Sequence, residues 1–219
     1  MTNGRLVAWI SVYGGFAVLA YGARLSGQKP PKDALYLWSS VVNGLVQYAI
    51  FLGVALLILI GRPKREYLAL RRPTSWATAA RIAGVLAVVL WIVGLALSRF
   101  VNPGREQGLA PTGWEHARAA AFVANFVVVA MVGPVVEELV YRGLGFSLLV
   151  RFGRRTAIVL VGLAFALAHG LVHGLPLLVV FGCGLAYMRS RVESVYPGIL
   201  FHAAFNALVL LLAVKFFHS

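Results

Sequence analysis

The feature that most constrains this chain is a succession of long apolar runs broken by short basic clusters. A helix needs about 20 predominantly apolar residues to cross a hydrocarbon core. The runs that approach this length are Leu6 to Tyr21, Leu35 to Ile60, Trp76 to Phe100, Arg118 to Leu149, Thr156 to His169, Leu175 to Met188 and Pro197 to Phe217. Two of them are short for a crossing and the fourth is long. The fourth also carries Gly133 and Pro134, and a proline inside a helix removes a backbone hydrogen bond and kinks it. The pattern predicts an all-α, polytopic transmembrane helix bundle of seven or eight helices, a single integral-membrane domain over residues 1–219. Composition excludes the soluble alternative. Hydrophobic residues make up 60% of the chain and charged residues 12%, against about 45–50% and about 25% in ordinary soluble domains.

A net charge of +13, from 20 Lys and Arg against 7 Asp and Glu, by itself suggests a nucleic-acid partner. The distribution argues otherwise, because the basic residues form clusters between apolar runs rather than one stripe. Such clusters follow from the positive-inside rule. The richest are Arg62, Lys64, Arg65, Arg71 and Arg72; Arg151, Arg154 and Arg155; and Arg189 and Arg191. All fall on one side if the fourth run crosses once, which puts them and the N-terminus in the cytoplasm. Arg24, Lys29 and Lys32 land on the other side. The lipid bilayer is thus the expected partner, with no nucleic acid. The first apolar run could mimic a secretory signal peptide, but more membrane follows it, so it reads as a retained span. The single cysteine, Cys183, reads as a small buried residue.

Ionisable side chains within spans are costly and suggest function by default. Of the 7 acids, Asp33, Glu66, Glu106, Glu115 and Glu193 lie in connecting segments, leaving Glu137 and Glu138 adjacent inside an apolar helix. Arg142 follows Glu138 at the spacing that brings side chains together on one helix face. Glu137 points about 100° further round, the less compensated acid and a setting for a general base or acid. Taken alone, Glu-Glu-Leu-Val-Tyr-Arg reads equally as an ion-pair staple that fixes helix register. Two further helices change that balance: Phe165 and His169 share one face of the next run, and His202 and Asn206 one face of the last. Measured along the chain, Glu137 and His169 each lie about 20 Å, and His202 about 16 Å, from the nearest arginine cluster. The three sets are therefore expected to meet at one level, in a cavity opening toward the cytoplasmic side.

Glu137-Glu138-x-x-x-Arg142, Phe165-x-x-x-His169 and His202-x-x-x-Asn206, in this order on separate apolar helices, resemble the three motifs of the CAAX protease and bacteriocin-processing family of intramembrane endopeptidases. This family, also called the Abi family, includes the prenyl-protein protease Rce1. The resemblance covers Gly133 to Ala207. It implies that Glu137 activates a water that attacks the scissile carbonyl, assisted by His169. His202 and Asn206 face the developing oxyanion, while Glu138 and Arg142 orient the helix and the base. It implies a peptide or protein substrate, for instance a membrane-associated one, in the compact prokaryotic branch.

Members of that family have been described both as metalloproteases and as glutamate-dependent proteases. Two histidines and a glutamate suffice as ligands for one divalent metal such as zinc, although His-Glu-x-x-His is absent, so the cofactor stays open. His173, four residues after His169, is a weaker metal candidate beside Gly170 and Gly174. His116 and His218 have no chemical case. The alternative of a different class is a non-enzymatic transporter or immunity-type scaffold that keeps these residues for packing. Transporters, however, usually show paired broken helices in two related halves, and only one Gly-Pro break stands out here.

Overall fold

A computed structural model describes residues 2–28, 31, 33–98, 100, 106 and 114–216. These contain helices and no strand. We number the helices α1 (Thr2–Leu25), α2 (Trp38–Ile58), α3 (Lys64–Tyr67), α4 (Trp76–Ser98), α5 (His116–Phe152), α6 (Arg154–Ala168), α7 (Leu175–Val192) and α8 (Tyr196–Phe216). Five of these, α1, α2, α4, α5 and α7, are long and apolar enough to cross a membrane. The chain is an all-α transmembrane bundle, as its apolar runs predict. Lys29, Lys32 and His218 lie outside the described residues.

Helix α5 runs through Gly133 and Pro134 as one continuous element. It does so by widening. Val128–Val132, just before the proline, is a π-helical turn, and Glu138–Gly145 is a second one. In the first, the Gly133 N–H bonds to the Val128 carbonyl, five residues back. In that register the Val129 carbonyl would look to residue 134, and proline has no N–H to give. The Asn206 side chain supplies the missing donor, with Nδ2 3.0 Å from Val129 O. Single π turns of this kind recur at functional sites. At the second one Trp9 of α1 donates from Nε1 to Val140 O at 3.1 Å.

Two faces result. On one, Arg5 donates to the carbonyls of Ile58 and Ile60 at the end of α2, and Ser194 and Val195, between α7 and α8, bond to Arg71 and Ala69. The arginine clusters gather on this face. At the other, the Tyr21 hydroxyl at the end of α1 donates to Leu171 O beyond α6, and Arg118 at the start of α5 pairs with Glu115 and Asp33. Helices α6 and α7 form a tight hairpin because both have glycine at their crossing: a Cβ on Gly182 would sit 2.6 Å from Gly162 O. The core lies between α1, α2, α5, α6 and α7, around Trp9, Tyr13, Phe51, Tyr141 and Phe165.

Candidate active site

The acid pair of α5 is divided by one step of helix rotation. Glu138 and Arg142 are fully buried, and Arg142 Nη1 donates to Glu138 Oε1 at 2.8 Å. The guanidinium also donates from Nη2 to Gly182 O at 3.1 Å and lies 4.2 Å above the Phe165 ring. His202 of α8 approaches the same oxygen of Glu138 from the other side, with Nδ1 at 3.1 Å. Gly198, one turn before His202, makes room for this carboxylate, since a Cβ there would lie 2.8 Å from Glu138 Oε2. Glu138 and Arg142 thus form a compensated pair behind the site, and Phe165 is the aromatic floor beneath it.

Glu137 faces a cavity of about 640 Å³, lined also by Tyr48, His169, His202 and Asn206. Its Oε1 accepts from the Tyr48 hydroxyl at 3.1 Å, and its Oε2 lies 3.7 Å from His202 Nε2. Glu138 is paired with Arg142 and has His202 at the closer range, whereas Glu137 has the Tyr48 hydroxyl and a longer approach to His202 and is the carboxylate that faces the cavity. His169, at the end of α6, has Nδ1 2.8 Å from Phe165 O. A carbonyl can only accept, so Nδ1 carries the proton, and in the neutral ring Nε2 is a free acceptor. Asn206 has already committed one N–H to Val129.

The four motif residues Glu137, His169, His202 and Asn206 therefore meet at one cavity, with Phe165 in its wall, whereas Glu138 and Arg142 do not reach it. Tyr48 was not legible from the motifs. Its one signal is Gly133, a turn before Glu137, where a Cβ would lie 2.5 Å from the Tyr48 oxygen. His173 and His116 are exposed outside the cavity.

Two expectations need correction. Chain distance overstates the depth of His202, because α7 ends at Val192 and α8 begins at Tyr196. His202 is six residues into α8, about 9 Å from its start. The cavity also extends the other way from that expected. It is lined by Arg24, Glu106, Leu171 and Gly174, on the face opposite the arginine clusters, and by no residue of those clusters. The short helix α6, ending at Ala168, leaves the space open there. Glu106 braces that end. It accepts from the backbone N–H groups of Val172, His173 and Gly174 at 2.8, 3.4 and 3.0 Å and pairs with Arg24. Burial raises its pKa, but these donors and Arg24 outweigh it and hold the carboxyl below the usual range.

The metal reading fares poorly on the donor set. Among the described residues no three His, Cys, Asp or Glu side chains are grouped to hold an ion, and His202 has a carboxylate at each ring nitrogen. The residues as arranged do not fit a zinc site.

The site is thus a mostly apolar cavity among the helices into which a carboxylate, two imidazoles and a carboxamide project. Residues 119–208 match the family described as type II CAAX prenyl endopeptidase Rce1-like. No curated protein and no solved structure matches the chain.

Proposed function

We propose that the chain hydrolyses peptide bonds with a water activated by Glu137, independently of a metal. The supporting observation is the convergence of Glu137, His169, His202 and Asn206 on one cavity inside the bundle. Glu137 takes a proton from water as the hydroxide oxygen bonds to the scissile carbonyl carbon. The carbonyl π pair moves onto oxygen, where the remaining N–H of Asn206 is the available donor, while the Nδ1–H of His202 is held by Glu138. Removing one such donor typically costs about 3–4 kcal/mol of transition-state stabilisation. Collapse of the tetrahedral intermediate breaks the C–N bond, and the proton held by Glu137 passes to the leaving amine. His169 accepts through Nε2 and holds the water in line. Tyr48 donates to Glu137 and fixes its carboxylate plane, while Glu138 and Arg142 hold His202 from behind. By the positive-inside rule the arginine face is cytoplasmic, so the end of the cavity at Arg24 and Glu106 lies on the opposite face.

The test is cleavage of a fluorogenic peptide panel in detergent. Glu137→Gln is expected to lower kcat/KM by about 10²–10⁴-fold, the usual contribution of a general base, while exhaustive chelation leaves wild-type turnover unchanged. Equal turnover by wild type and Glu137→Gln overturns the role of Glu137. A chelation-sensitive rate restored by added zinc overturns the metal-free mechanism.

A further inference from the structure

Helix α2 carries two carboxamides where lipid is expected. Its apolar window is only 17% buried, and Asn43 and Gln47, one turn apart on one face, are both exposed. Neither side chain makes a hydrogen bond among the described residues. An amide left without a partner in hydrocarbon costs several kcal/mol, so two in succession on a lipid-facing helix call for a ligand.

They border a second cavity of about 370 Å³ in the seam between α1 and α2, lined also by Phe16, Leu19 and Ile50. This cavity shares Ala20, Gln47, Phe51 and Ala168 with the one that holds Glu137. Gln47 immediately precedes Tyr48, whose hydroxyl bonds to Glu137. The two cavities therefore adjoin at Gln47 and Phe51, with the carboxamides on the outer one.

The spacing selects the occupant. Residues four apart on a helix are about 6 Å apart along its axis. An extended peptide presents like-facing N–H and C=O groups every second residue, about 6.6–6.8 Å. A carboxamide offers both a donor and an acceptor, so two at this interval match alternate residues of an extended strand. An acyl or prenyl chain offers nothing to bond. We infer that Asn43 and Gln47 form an access subsite that binds the backbone of an extended peptide segment passing from the bilayer between α1 and α2. This rests on the endopeptidase reading for its purpose, but binding can be measured without turnover.

The experiment uses the full chain carrying Glu137→Gln in lipid nanodiscs, with and without Asn43→Leu and Gln47→Leu. The probes are a dansyl-labelled Ala-Leu decapeptide and the same peptide N-methylated at alternate residues. With both amides present, the unmodified peptide should bind about tenfold more tightly than the methylated one, the worth of one or two net hydrogen bonds. The double variant should bind both equally weakly, with an unchanged Tm. A preference that survives the double substitution overturns the inference. So does a lack of binding to either peptide, or a double variant that separates a dimer into monomers without altering peptide affinity, which would make the amides a contact between copies. Failure of wild type to cleave any peptide sinks the endopeptidase reading and leaves this binding result standing on its own.

Discussion

Helices α4 and α5 are almost equally apolar, with mean hydropathy of 2.3 and 2.2 over their most apolar windows, yet the first window is 11% buried and the second 44%. The difference lies in a few polar atoms. Helix α5 carries Asn125, Glu137, Glu138 and Arg142, all four tied to other elements: Asn125 Nδ2 donates to Leu35 O and Leu37 O, Glu137 accepts from Tyr48, Glu138 pairs with His202, and Arg142 donates to Gly182 O. Helix α4 buries only Ala79, Leu86 and Leu90 and leaves Val88, Trp91 and Ile92 exposed. In water the apolar face turns inward. In lipid tails there is no such drive between helices, and small or polar residues decide which helix is surrounded.

The sharpest way to break this comparison is to remove the charge that holds α5 in the centre. Arg142→Leu leaves Glu138 buried without its main partner and should cost about 3–5 kcal/mol, read as a fall in Tm in detergent. Adding Glu138→Leu should recover part of it. If the single variant melts like wild type, the pair does not anchor α5.

A smaller effect is expected at the α6 and α7 crossing. Gly162→Val forces a side chain against Cys183 and its backbone, and overpacking of this kind costs about 1–3 kcal/mol. The measurement is urea or thermal unfolding, and tolerance of valine would mean the hairpin can open without penalty.

Trp9→Phe keeps most of the ring packing but loses the bond to Val140 O, for about 1 kcal/mol. On α4, Ile92→Ala should change stability by less than about 0.5 kcal/mol, because that side chain exchanges one lipid contact for another. A larger loss at Ile92 than at Trp9 would mean that the exposed face of α4 contributes more than the bond that ties α1 to α5.

The smallest effect depends on pH. Glu106 is held below its ordinary carboxyl range, so it stabilises the fold above the unfolded value of about 4.3 and that contribution disappears as pH falls through the lowered folded value. Wild type should therefore exceed Glu106→Gln in Tm at neutral pH and converge with it in acid. A gap that stays constant with pH would mean that the charge of Glu106 does nothing at the cavity end.

Much of the fold was legible because crossing a membrane requires a length and a composition that few other structures need. The seven apolar runs correspond to α1, α2, α4, α5, α6, α7 and α8, with ends moved by a few residues. The rotational split of Glu137 and Glu138 was legible for the same reason, since helix geometry is local. The role of Asn206 was half legible: its place near the cavity followed from spacing, but its bond to Val129 depends on the π register that Pro134 imposes on α5.

Tyr48 was out of reach, because nothing local distinguishes a tyrosine that faces a glutamate from one that faces lipid. The direction of the cavity was out of reach for a related reason. It depends on where α6 stops relative to its neighbours, and chain distance carried across the turn between α7 and α8 misjudges depth.

By itself the sequence determined that this chain is a transmembrane helix bundle and that Glu137, Glu138, Arg142, His169, His202 and Asn206 are its unusual residues, because hydropathy and helical period are properties of neighbours along the chain. Only the tertiary structure decided which of them share a cavity and at which face it ends, because a cavity is made by helices distant in sequence, and its shape follows from their crossing points, their lengths and the few small residues that let them approach.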